Sequence, residues 1–438
     1  MNDDLHRYSR SKVATDWMLM LLRPGIGVKR WLLLGMLGIL IMVSGIAFTL
    51  SVSVSQQVVE IGRTLAFTHV LDPVIRGLIF GTLGFVMIGS AAYMLYRQLA
   101  FGARYSQGTR GIIESLAGRQ IRGSGPRIVA IGGGTGISTL LRGLKEHTSN
   151  ISAVVTVADD GGSSGRLRDE LGMAPPGDAR QCLIALSDSE LLLDHLFAYR
   201  FQEGGSLEGH NLGNLLLAAL VDMEGDLHHA LEAATQLMPI RGEVLPSSVS
   251  TQMRLAARTT SGTYLAGESS IGHAGERLDT IWIEPPGCEP NPAVLAAIAA
   301  ADAIIIGPGS LYTSILPSFL INRISDAVNA THVPKVLVCN IATQVGETDH
   351  LSAEDHLHEF ERHAKVGVTH FLMNSKVRGF DTQGDALGDA PSGPHAIEPE
   401  ALSEPAIEII RRDVGDTEML THHDPKKLSR ALIDVLSS

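Results

Sequence analysis

Cysteine is scarce in this chain, whose 438 residues include three, Cys182, Cys288 and Cys339. The number is odd, the three are far apart in sequence, and their spacing matches no metal-binding pattern. These observations exclude a disulfide-stapled scaffold and a cysteine metal site. They predict reduced thiols in the core of an intracellular protein.

Positive charge is scarce over most of the chain. Residues 1–127 contain 14 Lys/Arg against 6 Asp/Glu, whereas the remainder contains 21 against 41, within a net charge of −12. Contacts to a nucleic-acid backbone need clustered lysine and arginine. The acidic body therefore excludes nucleic acid as the partner. The length allows more than one domain.

Charge is absent from two long apolar runs, at 31–54 and 77–96. Each has about the ~20 residues that span a bilayer, and the first starts too late for a cleaved signal peptide. Basic residues precede the first run and follow the second, while the loop between them offers mainly Arg63 and Arg76. The positive-inside rule then predicts a multi-pass cell-membrane protein with both termini and the main domain in the cytoplasm. A buried hairpin of a soluble protein is the alternative.

These features predict three regions. Residues 1–97 form an N-terminal region with two transmembrane helices, 98–126 a basic cytoplasmic linker, and 127–438 the main domain. The linker arginines either contact anionic lipid headgroups or merely fix the topology. Gly77 and Gly81 have GxxxG spacing, which permits close helix contact but also arises by chance in glycine-rich membrane helices.

Apolar strand-like runs alternate with helical patterns after Pro126, and no repeat of fixed period occurs. Strands are predicted at 128–131, 151–157, 281–283, 303–306 and 335–339. Helices are predicted at 138–146, 179–187, 191–201, 212–223, 227–236, 292–300 and 425–436, with a loop at 384–405. Such alternation predicts an α/β fold with a mainly parallel sheet covered on both faces.

A glycine-rich turn, Gly132-Gly-Gly-Thr-Gly136, lies between the first strand and the first helix of the body. Such a turn presents backbone N–H groups at the positive end of a helix, where a phosphate can bind. A tight structural turn is the alternative. The third glycine of the dinucleotide fingerprint is missing, because Ile137 stands there, and this argues against a nicotinamide dehydrogenase.

Two adjacent carboxylates, Asp159 and Asp160, end the second strand and precede a glycine-rich stretch at 161–165 that reads as a flexible loop. Paired carboxylates suit a Mg²⁺ ion with its waters, or sugar hydroxyls. Asp159 and Asp160 are therefore the candidate metal ligands. Capping of a turn is the alternative for one of them.

Several polar residues nearby could contact a ligand or serve the fold. Arg166 and Arg168 could clamp a diphosphate or pair with neighbouring carboxylates. Asn211 and Asn214, before a wholly apolar run, either recognise a base or sugar or satisfy buried backbone groups. Asp178 is predicted to cap the helix at 179–187.

Two further strand ends carry similar chemistry. Gly307, Gly309 and Ser310 follow one strand, and Asn340 follows another. At least four polar, glycine-rich strand ends predict one ligand crevice at the carboxyl edge of the sheet. No nucleophile–base pair stands out.

Two histidine pairs, His228–His229 and His422–His423, resemble metal sites only superficially. Neighbouring side chains on a helix point in different directions. A solvated surface is predicted for both pairs.

Six motifs resemble the YvcK-type gluconeogenesis factors, which belong to the superfamily of the phospholactyl transferase CofD. The longest is VTVADDGGSSGRLRDE at 155–170; the others are IGGGTG at 131–136, PPGD at 175–178, GHNLGNLLL at 209–217, GESSI at 267–271 and GPGSLYTS at 307–314. The similarity runs from Arg127 to near the C-terminus. The predicted membrane hairpin is an addition to the usual soluble member.

The resemblance implies a Rossmann-like, three-layer, CofD-like body that binds a UDP-sugar such as UDP-N-acetylglucosamine. It further implies a regulatory role in cell shape and cell-wall balance during gluconeogenic growth. CofD itself binds a guanosine diphosphate-linked group, deazaflavin and Mg²⁺, so the alternative is a Mg²⁺-dependent transferase using a nucleotide diphosphate-linked donor. The homologous ligand positions are Gly133, Gly134, Thr135, Gly136, Asp159, Asn211, Asn214, Ser310 and Tyr312.

The loops add Asp160, Arg166, Gly307, Gly309 and Asn340 to this predicted ligand set. We also expect a homodimer, because the body has many apolar helices. The predicted partners are thus a nucleotide-diphosphate sugar, the membrane through the hairpin, and a second copy of the chain.

Overall fold

The computed structural model describes residues 28–49, 73–103, 125–188, 190–203, 205–349, 351–376, 394–398 and 406–436. The chain divides into two compact units, Met1–Ile121 and Arg122–Ser438. Three predictions fall partly outside the described residues: the end of the run at 31–54, most of the linker at 98–126, and most of the loop at 384–405.

Two long helices make up the described part of the first unit, α1 (Val28–Thr49) and α2 (Pro73–Ala103). They pack through glycines. A Cβ atom added to Gly45 would lie 2.7 Å from the amide nitrogen of Gly81 and 2.9 Å from the carbonyl oxygen of Gly77. The GxxxG spacing in α2 therefore serves close helix contact.

The described outer surface of α1 and α2 is apolar. By length and composition, one segment of the described helices, Gly77–Met94, could cross a membrane, and only 17% of it is buried. The apolar part of α1, Leu33–Ile46, is shorter. Large side chains face outward on both helices; Met36 is 67% exposed and Phe85 71%. An apolar surface of this extent requires an apolar environment or partner.

Among its described residues, the second unit has ten strands. They are β1 Ile128–Gly132, β2 Ile151–Val155, β3 Glu243–Pro246, β4 Arg254–Thr259, β5 Tyr264–Ala266, β6 Leu278–Glu284, β7 Ala303–Ile306, β8 Lys335–Val338, β9 His370–Asn374 and β10 Glu408–Arg412. Seven form one parallel sheet in the order β10-β9-β8-β7-β1-β2-β3. All residues of β1 and β7 are buried, so both sheet faces are covered.

The strand order reverses beside β1. From β1 the chain continues outward through β2 to β3, whereas β7 pairs with the other side of β1 and the chain then continues through β8 and β9 to β10. Ile128 of β1 pairs with Ile151 on one side and Ala303 on the other. In open α/β sheets the crevice at such a switch point is where ligands bind, outside the carboxyl ends of the strands.

Helices connect and cover the strands of the second unit. They are α3 Gly134–Leu144, α4 Gly162–Leu171, α5 Gly177–Leu186, α6 Glu190–Ala198, α7 Leu212–Glu224, α8 Leu227–Leu237, α9 Glu268–Ile271, α10 Pro292–Ala300, α11 Leu316–Phe319, α12 Ile324–Ala330, α13 Ala353–Ala364 and α14 Pro425–Leu436. A π-helical turn at Leu311–Ile315 precedes α11. The α/β fold with a mainly parallel sheet is therefore as predicted, and α7, α10 and α14 match their predicted ranges within one residue.

The structure differs from the local predictions in three ways. The strand predicted at 281–283 is confirmed as part of β6, but β6 belongs to a separate antiparallel sheet of order β5-β4-β6 and not to the parallel sheet. The stretch at 161–165 is not a flexible loop, because α4 starts there; an added Cβ on Gly165 would overlap the carbonyl oxygen of Asp160, so only glycine fits this first turn. Sequence patterns also gave no sign of β3, β4, β5, β9, β10 and α13.

All three cysteines are free and buried. The prediction of reduced core thiols is confirmed. Burial raises the pKa of Cys339 to about 12, which makes this thiol a poor nucleophile.

Candidate ligand site

A cavity of about 550 Å³ lies where the ends of β1, β2, β7 and β8 meet. This is the carboxyl edge of the parallel sheet, at the switch point between β1 and β7. The predicted site residues that line it are Gly133, Gly134, Thr135, Gly136, Asp159, Gly309, Ser310 and Asn340. The structure thus brings four strand ends to one cavity, and its volume suits a small-molecule ligand.

The turn after β1 points the start of a helix into this cavity. Gly133 is the N-cap of α3, with φ of −163°, and no side chain caps the helix through it. Gly134 follows with φ of +60°, a conformation that favours glycine. The α3 N-terminus therefore offers backbone N–H groups and a partial positive charge to an anionic ligand.

The turns after β1 and β7 touch each other. A Cβ atom on Gly136 would lie 2.6 Å from the carbonyl carbon of Pro308 and 2.7 Å from the Cα of Gly309. Asn340 holds the second turn, because its Oδ1 accepts a hydrogen bond from the Gly309 N–H (3.1 Å) and its Nδ2 donates to the Gly309 carbonyl (2.9 Å). Asn340 thereby fixes the shape of the cavity wall.

A buried carboxylate occupies the helix start that follows the β7 turn. Glu347 accepts hydrogen bonds from the backbone N–H groups of Tyr312 (2.7 Å) and Thr313 (3.3 Å). Burial raises its pKa to about 7 although these donors oppose the shift. Glu347 takes two backbone donors at the β7 turn, whereas Asp178 takes one at the β1 turn, the Gly134 N–H. The β1 turn is therefore the better phosphate site.

The cavity wall is acidic. Asp159, Asp178 and Glu268 line it, and among the described residues that do so there is no lysine or arginine. Burial, and then the charge of Asp159, raise the pKa of Asp178 to about 7. Burial, followed by the charges of Asp159 and Asp160, raises the pKa of Glu268 to about 7. These carboxylates repel a diphosphate that enters the cavity unless a proton or a cation neutralises their charge.

Asp178 is the acid at the β1 turn, and the prediction that it caps the helix at 179–187 is wrong. The N-cap of α5 is Pro176, so Asp178 is the second helical residue and does not cap. Its carboxylate instead accepts a hydrogen bond from the Gly134 N–H. A ligand phosphate at the β1 turn would therefore compete with Asp178 for the same donor.

Asp159 and Asp160 point to different places. Asp160 accepts hydrogen bonds from the N–H (2.9 Å) and hydroxyl (2.7 Å) of Ser269, and it is not a lining residue. Asp159 lines the cavity, and its Oδ1 accepts from the Gly161 N–H (2.9 Å). As a candidate Mg²⁺ ligand, Asp159 thus shares the cavity with Asp178 and not with Asp160.

A metal ion would depend on the ligand for part of its coordination. Among the described residues, no group of three or more His, Cys, Asp or Glu is placed to hold one. Mg²⁺ is commonly bound by one or two carboxylates together with phosphate oxygens and water. The pair Asp159 and Asp178 fits that mode.

Six of the predicted ligand residues lie outside the cavity lining: Asp160, Arg166, Asn211, Asn214, Gly307 and Tyr312. Arg166 donates from Nη2 to the carbonyl oxygen of Glu208 (2.8 Å). Tyr312 is 1% exposed, and its hydroxyl donates to Glu359 (3.1 Å) in the protein interior. The two asparagines have different roles.

Asn211 is the N-cap of α7, and its Oδ1 accepts from the Asn214 N–H (3.3 Å). Asn214 donates from Nδ2 to the hydroxyl of Ser164 (3.3 Å), and Ser164 in turn bonds to Asp159. The structure therefore favours the backbone-satisfying alternative for Asn211, while Asn214 supports Asp159 through Ser164.

The loop before α14 reaches the cavity as well. His422 and His423 line it, and His423 is only 7% exposed. The prediction of a solvated pair is wrong here, because the loop folds back and His423 forms a β-bridge with Gly415. In the other pair, His229 is 58% exposed, as predicted, whereas His228 is 19% exposed and its Nδ1 lies 3.3 Å from the amide nitrogen of Asn291.

Comparison with known proteins defines the class. The family model of the 2-phospho-L-lactate transferase CofD matches residues 128–414, and the chain belongs to that family. Within it, the chain is similar to proteins named gluconeogenesis factor. The one from Bacillus subtilis is 42% identical over 316 residues, covering 72% of this chain and 99% of that protein. The one from Halalkalibacterium halodurans is 40% identical over 318 residues, covering 70% and 95%.

The similarity of some relatives extends through the first unit. A protein of Nostoc sp. is 38% identical over 442 residues, covering 98% of this chain and 95% of that protein. A crystal structure of a Bacillus halodurans protein superposes with a TM-score of 0.64 at 39% identity, covering 71% of this chain and all of that one. The chain is thus a YvcK-type gluconeogenesis factor family member with an additional N-terminal unit.

Proposed function

We propose that the second unit binds a nucleotide-diphosphate sugar, of the UDP-N-acetylglucosamine kind, in the 550 Å³ cavity. The observation that carries this proposal is the start of α3 at the junction of four strand ends, where the N-cap Gly133 brings no capping side chain of its own and a phosphate would replace Asp178 as the acceptor of the Gly134 N–H. The diphosphate lies at Gly133–Gly136, and the acidic wall recruits a Mg²⁺ ion to it. In this role the protein is a regulator of cell-envelope metabolism during gluconeogenic growth.

Titration calorimetry of the full chain in detergent tests the binding. UDP-N-acetylglucosamine with Mg²⁺ is expected to bind with a Kd below about 100 μM, a typical range for small-molecule recognition. UDP alone and N-acetylglucosamine alone serve as matched ligands, and both should bind more weakly than the conjugate. Folded protein that releases no heat with any nucleotide sugar at millimolar concentration contradicts the proposal.

A second candidate function is a Mg²⁺-dependent transferase. The family match over 128–414 and the carboxylates Asp159 and Asp178 favour it. Under this alternative, protein supplied with a nucleotide diphosphate-linked donor and a deazaflavin acceptor forms product, and Asp159→Asn abolishes turnover while the fold persists. Absence of product with a bound donor leaves the regulatory function.

We further propose that α1 and α2 anchor the chain in the cell membrane, with the second unit in the cytoplasm. The glycine-lined contact between the two helices and their apolar outer surface support this proposal. The full chain should remain in the membrane pellet after high-salt and alkaline washes, and a variant lacking residues 1–97 should move to the soluble fraction. Recovery of the full chain in the soluble fraction would refute the anchor. The expected homodimer also stays a prediction.

A further inference from the structure

His423 is a buried polar side chain in the cavity wall without a complete set of partners. It lies in the loop between β10 and α14, where the Asp424 N–H donates to the Val414 carbonyl (2.9 Å) and holds the loop in place. The residue is 7% exposed and lines the 550 Å³ cavity. Its Nε2 atom is buried and has no hydrogen-bond partner in the structure.

The other ring nitrogen fixes the tautomer. His423 hydrogen-bonds to the backbone of Cys339. The Cys339 N–H is already donated to the Leu372 carbonyl (2.9 Å), so the Cys339 group that bonds to His423 is its carbonyl oxygen. A carbonyl only accepts, and the ring nitrogen with a partner is Nδ1. Nδ1 therefore carries the proton, and Nε2 is an unprotonated acceptor.

The ring stays neutral over the physiological range. Burial lowers the pKa of His423 to about 4, against the opposing effect of the Cys339 bond. Its neighbour His422 also opposes a positive charge. A neutral acceptor that has lost its hydration and gained no partner is costly, and buried polar groups in native proteins are nearly always satisfied. A hydrogen-bond donor on a ligand in the cavity would supply the missing partner.

The position of His423 relative to the phosphate turn indicates which part of a ligand it meets. Cys339 follows β8, and Gly133 follows β1, with β7 between them. Neighbouring strands are about 4.8 Å apart, so Cys339, whose backbone bonds to the His423 ring, lies about 10 Å from Gly133 along the sheet edge. That distance takes the contact beyond the diphosphate to an attached sugar ring.

We propose that His423 is a specificity-determining residue whose Nε2 accepts a hydrogen bond from a sugar hydroxyl of the bound nucleotide sugar. This inference rests on the proposed function and deepens it. It requires a ligand that carries a hydroxyl donor about two strand spacings from its diphosphate. Ribose and hexose both offer such donors.

The test combines two variants of His423 and one control variant with a series of ligands, with the full chain in detergent and Mg²⁺ present. His423→Asn keeps an amide donor for the Cys339 carbonyl but has no acceptor at the Nε2 position. It should weaken UDP-N-acetylglucosamine binding about tenfold to a hundredfold, the usual effect of losing one buried hydrogen bond. His423→Gln, which can place an amide oxygen near that position, should restore part of the affinity.

Ligands that lack single hydroxyls on the ribose or the hexose identify the contact. The analogue without the contacting hydroxyl should bind the wild-type protein weakly, and His423→Asn should then cost nothing further. The matched control is His356→Asn. His356 is also buried, bonds through Nδ1 to a carbonyl (Ser352, 2.8 Å) and has an unpartnered Nε2, but it lies outside this cavity. Its substitution should leave the Kd within about threefold of wild type.

Each outcome is decisive. Equal binding of the nucleotide sugar by His423→Asn and wild type overturns the role of His423 and leaves the proposed function intact. No binding of any nucleotide sugar by wild type overturns both. Nitrogen NMR of ¹⁵N-histidine-labelled protein adds a readout that does not depend on ligand affinity, because a proton found on Nε2 of His423 would also overturn the proposal.

Discussion

Replacing Gly136 with alanine is expected to lower the free energy of unfolding by about 1–3 kcal/mol and to abolish measurable binding of a nucleotide sugar. The added methyl group would overlap the Pro308 carbonyl and lie 2.7 Å from the Cα of Gly309. Both neighbours are backbone atoms, so no rotamer change relieves the overlap. The turns after β1 and β7 would have to separate, and both line the cavity.

The matched control is Gly367→Ala. Gly367 lies in the exposed loop between α13 and β9, and no atom comes within 4 Å of its added Cβ. It should leave the ligand Kd unchanged and keep or slightly raise the melting temperature, because alanine restricts the unfolded chain. Thermal unfolding and calorimetry of the two variants provide the comparison. If Gly136→Ala melted and bound like wild type, the two turns would not be in contact.

The contact between these two turns marks the limit of what the sequence predicts about the site. Each turn was predicted separately, because an apolar run that ends in glycine and precedes a helical pattern is a local signal. Their adjacency depends on β7 pairing with β1 across a long stretch of chain, which no local pattern encodes. The switch point, and with it the position of the cavity, follows only from that pairing.

Local composition also misled where tertiary structure overrode it. The glycines and serines at 161–165 indicate a loop, yet α4 starts at Gly162, because Gly165 packs against the Asp160 carbonyl. The strand β3 ends in Pro246 and is only four residues long, so it lacks a clear apolar alternation. Paired with β2 at an edge of the sheet, it is nevertheless stable.

Sequence patterns do not predict the acidic wall, for a similar reason. Asp159 was identified because it ends a strand, but Asp178 belongs to a helix and Glu268 follows a strand of the other sheet. The sequence predicts only helix capping for Asp178 and assigns no role to Glu268. Only the fold places the three carboxylates on one cavity, where burial and mutual repulsion alter their proton affinity.

The charge of this wall leads to the second large prediction. In metal-free buffer, the affinity for a nucleotide-diphosphate sugar should fall on the order of tenfold between about pH 6 and pH 8. The ligand diphosphate keeps its charge over this range, whereas Asp178, with a pKa of about 7, loses its proton and becomes anionic beside the β1 turn. Glu268 titrates in the same range and adds to the slope. Mg²⁺ should restore the affinity at pH 8 by neutralising the wall.

Asp178→Asn isolates the contribution of one carboxyl. Its amide oxygen can still accept the Gly134 N–H, but it carries no charge. In metal-free buffer the variant should bind more tightly than wild type at pH 8 and equally at pH 6, and it should gain less from Mg²⁺. Asp169→Asn removes the same charge from a surface residue that is 68% exposed and should follow wild type throughout.

The stability of the ligand-free protein gives a second measurement, and it should also fall as the pH rises. A carboxyl whose pKa is raised by folding binds more protons in the native state than in the unfolded state, from the ordinary pKa of aspartate up to about 7. Stability contributed by this group is therefore present at low pH and is lost as the pH rises through that window. The melting temperature of wild type should fall from pH 5 to pH 8, and Asp178→Asn should flatten the fall. An unchanged slope in Asp178→Asn, together with pH-independent binding, would show that Asp178 is ionised throughout and that the acidic wall does not control access of the diphosphate to the β1 turn.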